Sequence, residues 1–519
     1  MSTPANVDPR TGSRWILGDK FEQVYPHLGS IDNLWNKKWK FPCERSLYPF
    51  HDGKYEDFAP IFETLIQKGI HDGYSVEYTK EFLPTAERLS KEGDELAKAG
   101  KKEEAIDIYL RACTVYRIAR FPYINSDVKE AAYKSQKDVY MKAAALFETP
   151  IEDVSIPHTA AAPNDEGKQI PLYIRIPHGT SKANPTPSVI LMCGLDGHRP
   201  DNTVRSNEFL ARGWASIIVD IPGTADCPAD RKDHTSPDRL WTSILDWMAQ
   251  DGRFHMGKVL CWGLSAGGHN AIRAAHTHST RLLGAVGQGA GTHHFFSRPW
   301  LEKAKNHEYP WTALPALRAK FGYATEEDFL NHAQKDFSLV EKKIVDMPSC
   351  RLLLINGTHD GLMPIEDSML MMEYGTPKEA RFFTGLLHMG YPPANGITPP
   401  QRPLPHPHII LPRPRQDPLP RHSKLRTTRR PQMLRHLVPR GHVQHLLIHI
   451  REETPRIPRL DVRLRRAQGV NGDGTPGVLV APEVHVPLAV DGVETQVRER
   501  GRREGALAVV VVPVVVRGV

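Results

Sequence analysis

Three things are scarce in this 519-residue chain. Cysteine is one: there are six, Cys43, Cys113, Cys193, Cys227, Cys261 and Cys350, and no two form a Cys-x-x-Cys pair or cluster with histidines. That argues against a disulfide framework and against a thiolate metal site, and fits a reduced compartment. Long apolar runs are another. The longest near the end, Ala506 to Val516, has 11 residues and is interrupted by Pro513, too short to span a bilayer. The first residues lack the basic-then-apolar pattern of a secretory signal, so the expected location is the cytoplasm, without a membrane span. Aromatic residues are the third. They make up 8% of the chain, yet Phe, Trp and Tyr are wholly missing from residues 392–519, as is cysteine.

That last stretch differs from the rest in kind. It holds 19 prolines, 20 Arg and 1 Lys against 10 acidic residues, a formal charge of +11. The whole chain carries +7, which leaves −4 for residues 1–391. The basic balance therefore belongs to the tail, and no nucleic-acid partner is expected of the body. A segment without aromatics and so rich in proline cannot build an ordinary core, so disorder is the expectation for 392–519. Its dominance by Arg, Pro, His, Val and Gly also matches GC-rich sequence translated out of frame or from a mispredicted exon.

What is present divides near residue 151. Residues 1–150 read as helical, a lid or cap: apolar residues recur at helical spacing in Lys101–Ala119, with similar patterns in Glu81–Gly100 and Asp127–Phe147. Gly100 suits the left-handed end of the first helix. From 151 to 391 short apolar runs alternate with helical segments, which predicts an α/β fold with a mostly parallel sheet. The expected strands are Val154–His158, Leu172–Ile176, Ser188–Cys193, Ala215–Asp220, Lys258–Trp262, Leu282–Val286, Arg351–Asn356 and Ala380–Thr384. Residues 293–346 read as a helical insertion over the site, rich in Trp and Phe.

The chemistry is carried by Lys258-Val-Leu-Cys-Trp-Gly-Leu-Ser-Ala-Gly-Gly268, a strand entering Gly-x-Ser-x-Gly before a helix. This is the nucleophile elbow of an α/β-hydrolase, with Ser265 lifted onto a tight turn that Gly263 and Gly267 permit. A serine hydroxyl needs a base, and in this fold the order along the chain is Ser, acid, His. Arg351-Leu-Leu-Leu-Ile-Asn-Gly-Thr-His-Asp-Gly361 offers Asp360, and Ala380-Arg-Phe-Phe-Thr-Gly-Leu-Leu-His-Met-Gly390 offers His388, each just past a strand end. The expected catalytic set is Ser265, Asp360 and His388. His359 adjoins the acid but reads as a loop residue. The backbone N–H groups of Leu195, in Cys193-Gly-Leu-Asp-Gly-His-Arg199, and of Ala266 are the candidates for an oxyanion hole. Asp196 could orient a substrate hydroxyl or simply be a turn carboxylate. His293, beside His294, could line the pocket; two adjacent histidines without a third ligand assign no metal. No glycine motif matches a P-loop or a dinucleotide fingerprint, so no cofactor is expected.

Several segments extend the reading. Arg14-Trp-Ile-Leu-Gly-Asp-Lys-Phe21, Lys38-Trp-Lys-Phe-Pro-Cys43, Ser46-Leu-Tyr-Pro-Phe-His-Asp-Gly53, Val115-Tyr-Arg-Ile-Ala-Arg-Phe-Pro-Tyr123 and Asp220-Ile-Pro-Gly-Thr224 resemble the fungal yellowish-green pigment hydrolases. Those enzymes shorten heptaketide naphthopyrones in melanin and related pigment pathways. They are similar in turn to the bacterial fermentation-respiration switch esterase-like proteins and the dihydropseudooxynicotine C–C hydrolase. Over residues 14–391 the resemblance implies a helical N-terminal lid, a Ser–Asp–His triad falling on Ser265, Asp360 and His388, and a small-molecule polyketide substrate. It also implies secondary-metabolite biosynthesis, with association to vesicles or endosomes as for other pigment enzymes. A homodimer is compatible with it. Ala225 and Cys227 depart from the resemblance, since relatives carry a more glycine-rich loop there. The match ends after Tyr391, where such a fold ordinarily adds a helix behind the histidine loop; without one, the expectation is weak support for His388. An esterase or a polyketide-releasing acyltransferase would use the same triad. An inactive or misannotated hydrolase-like chain is a further alternative.

Overall fold

Ser75 and Ser126 start two of the long N-terminal helices, each accepting a backbone N–H three residues on, from Tyr78 and Lys129. The computed structural model describes residues 15–391 except 164, 375 and 377. In the separate unit Leu411–Val519 it describes only the backbone of two short antiparallel pairs, Gln468–Val470 with Pro476–Val478 and Thr495–Gln496 with Val515–Val516. The expectation of disorder for 392–519 otherwise lies outside the described residues.

Helices Tyr55–Gln67, Val76–Lys98, Lys102–Arg120 and Asp127–Ala145 make up the N-terminal segment. The second begins five residues earlier than its apolar spacing predicts, because Ser75 caps it and the helix runs through Pro84. Gly100 follows at φ 75°, and Lys101 N–H reaches back to the Leu96 carbonyl at 3.0 Å. Gly93 lets the next helix close in: a Cβ there would stand 2.6 Å from the Tyr109 ring. Ahead of these helices, one π-helical turn, Trp35–Trp39, directs two tryptophans inward. Trp35 stacks on Phe62 at 4.3 Å, and Trp39 meets Phe121 and Trp311 edge-on.

The eight expected strands all form: β1 Glu152–Pro157, β2 Gln169–Arg175, β3 Thr186–Met192, β4 Ala215–Val219, β5 Phe254–Leu264, β6 Gly284–Gln288, β7 Arg351–Gly357 and β8 Lys378–Phe383. They join in one sheet in the order β1-β2-β4-β3-β5-β6-β7-β8. β2 runs antiparallel to β1 and β4; every later pairing is parallel. This is the α/β-hydrolase fold. β4 is buried along its whole length, as a strand covered on both faces requires. β8 is mostly exposed instead, because it closes the sheet with a partner on one side only.

The insertion supplies three α-helices, Arg298–Ala304, Leu314–Lys320 and Glu326–Phe337. Its aromatic residues tie it to the N-terminal segment. Trp300 stacks on Phe21 at 4.5 Å, and Trp311 Nε1 donates to the His71 carbonyl at 3.1 Å. One continuous hydrophobic core therefore runs through the N-terminal helices, the insertion and the sheet. Among the described residues no helix is long and apolar enough to cross a membrane.

Candidate active site

β5 delivers Ser265 just past its own C-terminal end, in the middle of the sheet, and the chain turns there at φ 55°, ψ −121° into helix Ala266–Thr277. A non-glycine residue at positive φ is strained, and it holds only when its surroundings over-determine it. They do so here. A Cβ on Gly263 would lie 2.0 Å from the Gly267 carbonyl oxygen, and one on Gly267 would lie 2.3 Å from that of Cys193. Both positions must be glycine on steric grounds alone. Ser265 N–H is tied to the Gln288 carbonyl of β6 at 2.8 Å.

The three residues expected from chain order meet. Ser265 Oγ lies 2.8 Å from His388 Nε2, and His388 Nδ1 lies 2.8 Å from Asp360 Oδ2. The other Asp360 oxygen accepts N–H groups from Leu362 and Met363, both at 2.8 Å. These bonds aim the carboxylate at the imidazole. Burial works against a charged imidazole, but the charge and hydrogen bond of Asp360, then the charges of Glu308 and Asp196, outweigh it and raise the His388 pKa above its ordinary value.

The weak support expected for His388 is a correction to make, because the bracing comes from elements other than a closing helix. Met389 sits at φ 61°; its N–H donates to Asn356 Oδ1 at 3.2 Å and its carbonyl accepts from Gln288 Nε2 at 3.0 Å. The loop crosses the end of β7 so closely that a Cβ on Gly357 would lie 2.1 Å from the Leu387 carbonyl oxygen. Glu308, from the insertion, accepts the His388 backbone N–H at 2.9 Å and that of Gly361 at 3.4 Å.

Glu308 is the residue that sequence reasoning missed. It is buried, and burial together with the charge of Asp360 pushes its pKa up to about 7. Lys38 lies within its electrostatic reach, and burial pulls that amine down. Glu308, Asp360 and His388 offer ligand atoms within 4.8 Å of one another, a set that could hold a cation. Each of the three already engages a hydrogen-bond partner. Nothing around Glu308 in the sequence, His307-Glu308-Tyr309, signals its position.

The amide candidates flank the serine. Ala266 is the first residue of the elbow helix, whose N-terminal end favours negative charge. Gly194, just before Leu195, lies so near the serine that a Cβ on it would stand 3.5 Å from Ser265 Cβ. Among the described residues no hydrogen bond occupies the N–H of Leu195 or Ala266. Asp196 is not a free carboxylate: Tyr48 Oη donates to it at 2.8 Å. The His293 ring bonds to Ser338 Oγ at 2.8 Å and faces Gln334, on the insertion side. His359 is a loop residue whose N–H donates to the Leu386 carbonyl at 2.9 Å. Ala225, one of the two departures from the resemblance, takes φ 48°.

Fold and site define an α/β-hydrolase with a serine, histidine and aspartate in hydrogen-bonded series. Residues 90–381 match the family model described as "Esterase FrsA-like", and the chain belongs to that family. Esterase FrsA of Photobacterium profundum is 25% identical over 285 residues, covering 53% of this chain and 64% of that protein's length. The 2,6-dihydropseudooxynicotine hydrolase of Paenarthrobacter nicotinovorans is 21% identical over 281 residues, covering 54% of this chain and 70% of that one. The solved structure of the 2,6-dihydroxy-pseudo-oxynicotine hydrolase superposes with a TM-score of 0.52 at 18% identity, over 65% of this chain and 88% of that one, a likeness of fold.

Proposed function

We propose that this chain is a serine hydrolase that cleaves a carbon–carbon bond of a polyketide, releasing tetrahydroxynaphthalene and acetoacetate from a heptaketide naphthopyrone in pigment biosynthesis. The observation that carries the hydrolase reading is the unbroken series Ser265–His388–Asp360 at 2.8 Å per link. The pigment-hydrolase motifs support the bond and substrate, and a relative named as a 2,6-dihydropseudooxynicotine hydrolase supports hydrolysis of a small molecule.

The opened naphthopyrone bears a diketone side chain on an electron-rich ring. Ser265 Oγ attacks the ring-attached carbonyl carbon while His388 Nε2 takes its proton. Leu195 and Ala266 N–H groups receive the oxyanion. Collapse breaks the bond to the ring; the ring carbon leaves with the electron pair and takes the proton back from His388. Ring hydroxyls assist by spreading the negative charge. An acetoacetyl ester on Ser265 remains. Water, giving its proton to His388, hydrolyses it to acetoacetate and restores the serine. In this reading residues to about 150 cap the site, and Asp196, paired with Tyr48, faces the substrate's hydroxyls.

A second reading, an esterase or polyketide-releasing acyltransferase on the same triad, is favoured by the family's own description. Turnover of the naphthopyrone by the full chain, with mass spectrometry for tetrahydroxynaphthalene, is compared with turnover of simple acyl esters. The proposal expects naphthopyrone cleavage that disappears in Ser265→Ala. Ester turnover without naphthopyrone cleavage supports the second reading, and cleavage that survives Ser265→Ala rules out the assigned nucleophile.

A further inference from the structure

The loop carrying Leu195 is held from outside the hydrolase sheet. Arg120, the last residue of helix Lys102–Arg120, is almost completely buried and reaches the loop with Nη1, which donates to the Asp196 carbonyl at 2.8 Å. Its other nitrogens are committed as well. Nη2 donates to Asp201 Oδ2 at 2.5 Å, and Nε donates to Gln136 Oε1 at 2.7 Å. Gln136 Nε2 returns to Asp201 Oδ1 at 2.7 Å, closing a ring of three side chains. Asp201 then holds the far end of the same loop, accepting the His198 N–H at 2.7 Å. Tyr48 Oη, also from the N-terminal segment, grips the Asp196 side chain at 2.8 Å. The loop residues 194–198 are thus clamped at two backbone points, one of them next to Leu195.

We propose that Arg120 is a positioning residue for the oxyanion hole, so that the N-terminal helical segment builds part of the catalytic machinery as well as covering it. The inference rests on the reading of Ser265 as nucleophile and of Leu195 N–H as oxyanion donor. An oxyanion donor acts only if its N–H already points where charge develops, and removing one costs about 10²–10³ in rate. A planar guanidinium can bond a carbonyl, a carboxylate and an amide together. A lysine ammonium at 120 keeps the charge beside Asp201 but cannot reproduce the three-way fork. The expected defect in such a variant is therefore in transition-state stabilisation rather than in substrate binding.

The test measures, on the full chain, the rate at which a fluorophosphonate labels Ser265. The serine oxygen displaces fluoride from phosphorus, its proton passes to His388, and the phosphoryl oxygen occupies the oxyanion hole. No knowledge of the natural substrate is needed. Arg120→Lys is expected to fold with a melting temperature near that of the parent and to label about 10- to 100-fold more slowly. On any ester the enzyme accepts, kcat should fall while KM stays within about threefold. Guanidinium ion at sub-denaturing concentration should restore part of the rate in Arg120→Ala. Folded Arg120→Lys that labels as fast as the parent overturns the inference while leaving the nucleophile reading intact. Failure of the parent itself to label at Ser265 overturns both. Should neither Arg120 variant fold, Gln136→Ala, which removes the Nε partner and keeps both charges, decides the matter. Slower labelling is expected, and an unchanged rate overturns the inference.

Discussion

At the scale of single residues, the half-buried His388 and the buried Glu308 are expected to set the pH behaviour. In the proposed mechanism His388 must be neutral to accept the Ser265 proton, and its pKa is raised. The acid limb of kcat/KM is therefore expected above the ordinary histidine value of 6.5. Glu308 contributes to that rise. Glu308→Gln keeps an oxygen to accept the His388 N–H and removes the charge, so the limb should move to lower pH; a pH–rate profile of both proteins checks it. Glu308 also links to stability. Its carboxyl moves from an ordinary 4.5 to about 7 in the folded chain, so the folded state holds a proton that the unfolded state has released. That contribution is complete below about 4.5 and is lost as pH rises through about 7. Urea midpoints measured at pH 5 and pH 8 should fall with rising pH more in the parent than in Glu308→Gln. Neither carboxylate coupling nor loop bracing was legible in the chain, because Glu308 lies 80 residues from His388 in a stretch without a motif.

At the scale of elements, the elbow is a steric device. Its glycines are required by backbone carbonyls 2.0–2.3 Å from where a Cβ would go, atoms that cannot swing aside. Gly263→Ala or Gly267→Ala should therefore cost several kcal/mol and abolish labelling of Ser265 together. Thermal melts read the first effect and fluorophosphonate labelling the second. The strand–Gly-x-Ser-x-Gly–helix pattern announced this element in full, since its apolar run, its glycines and its helix are contiguous. Helix starts were less legible. The apolar spacing placed the second long helix at Glu81, whereas the Ser75 cap starts it at Val76. The edge position of β8 was also invisible, because only the pairing order leaves that strand one neighbour.

At the scale of the whole molecule, helices, insertion and sheet share one core. Trp300 is completely buried between Trp15, Phe21 and the insertion, with Nε1 donating to the Leu362 carbonyl at 2.9 Å, two residues past Asp360. Trp300→Ala should destabilise by about 3–5 kcal/mol, and it should loosen the Asp360 loop as well, read as a lower melting temperature with slower turnover. A fragment of residues 151–391 alone should be poorly folded and inactive. It would leave Trp311 without its partners Trp39, Tyr78 and Phe121, and the Leu195 loop without Arg120. Circular dichroism and labelling of the fragment check this.

The amino-acid sequence by itself determined the hydrolase sheet and the order of Ser265, Asp360 and His388. Strand periodicity, turn glycines and residues at strand ends are local features, and local features survive in one dimension. Tertiary structure alone decided which groups surround that triad. Glu308 beneath His388, Gln288 and Asn356 behind Met389, and Arg120 behind Leu195 come from elements far apart along the chain. Their hydrogen bonds exist only because packing brings those elements within 3 Å or so of one another, and no spacing in the sequence encodes that approach.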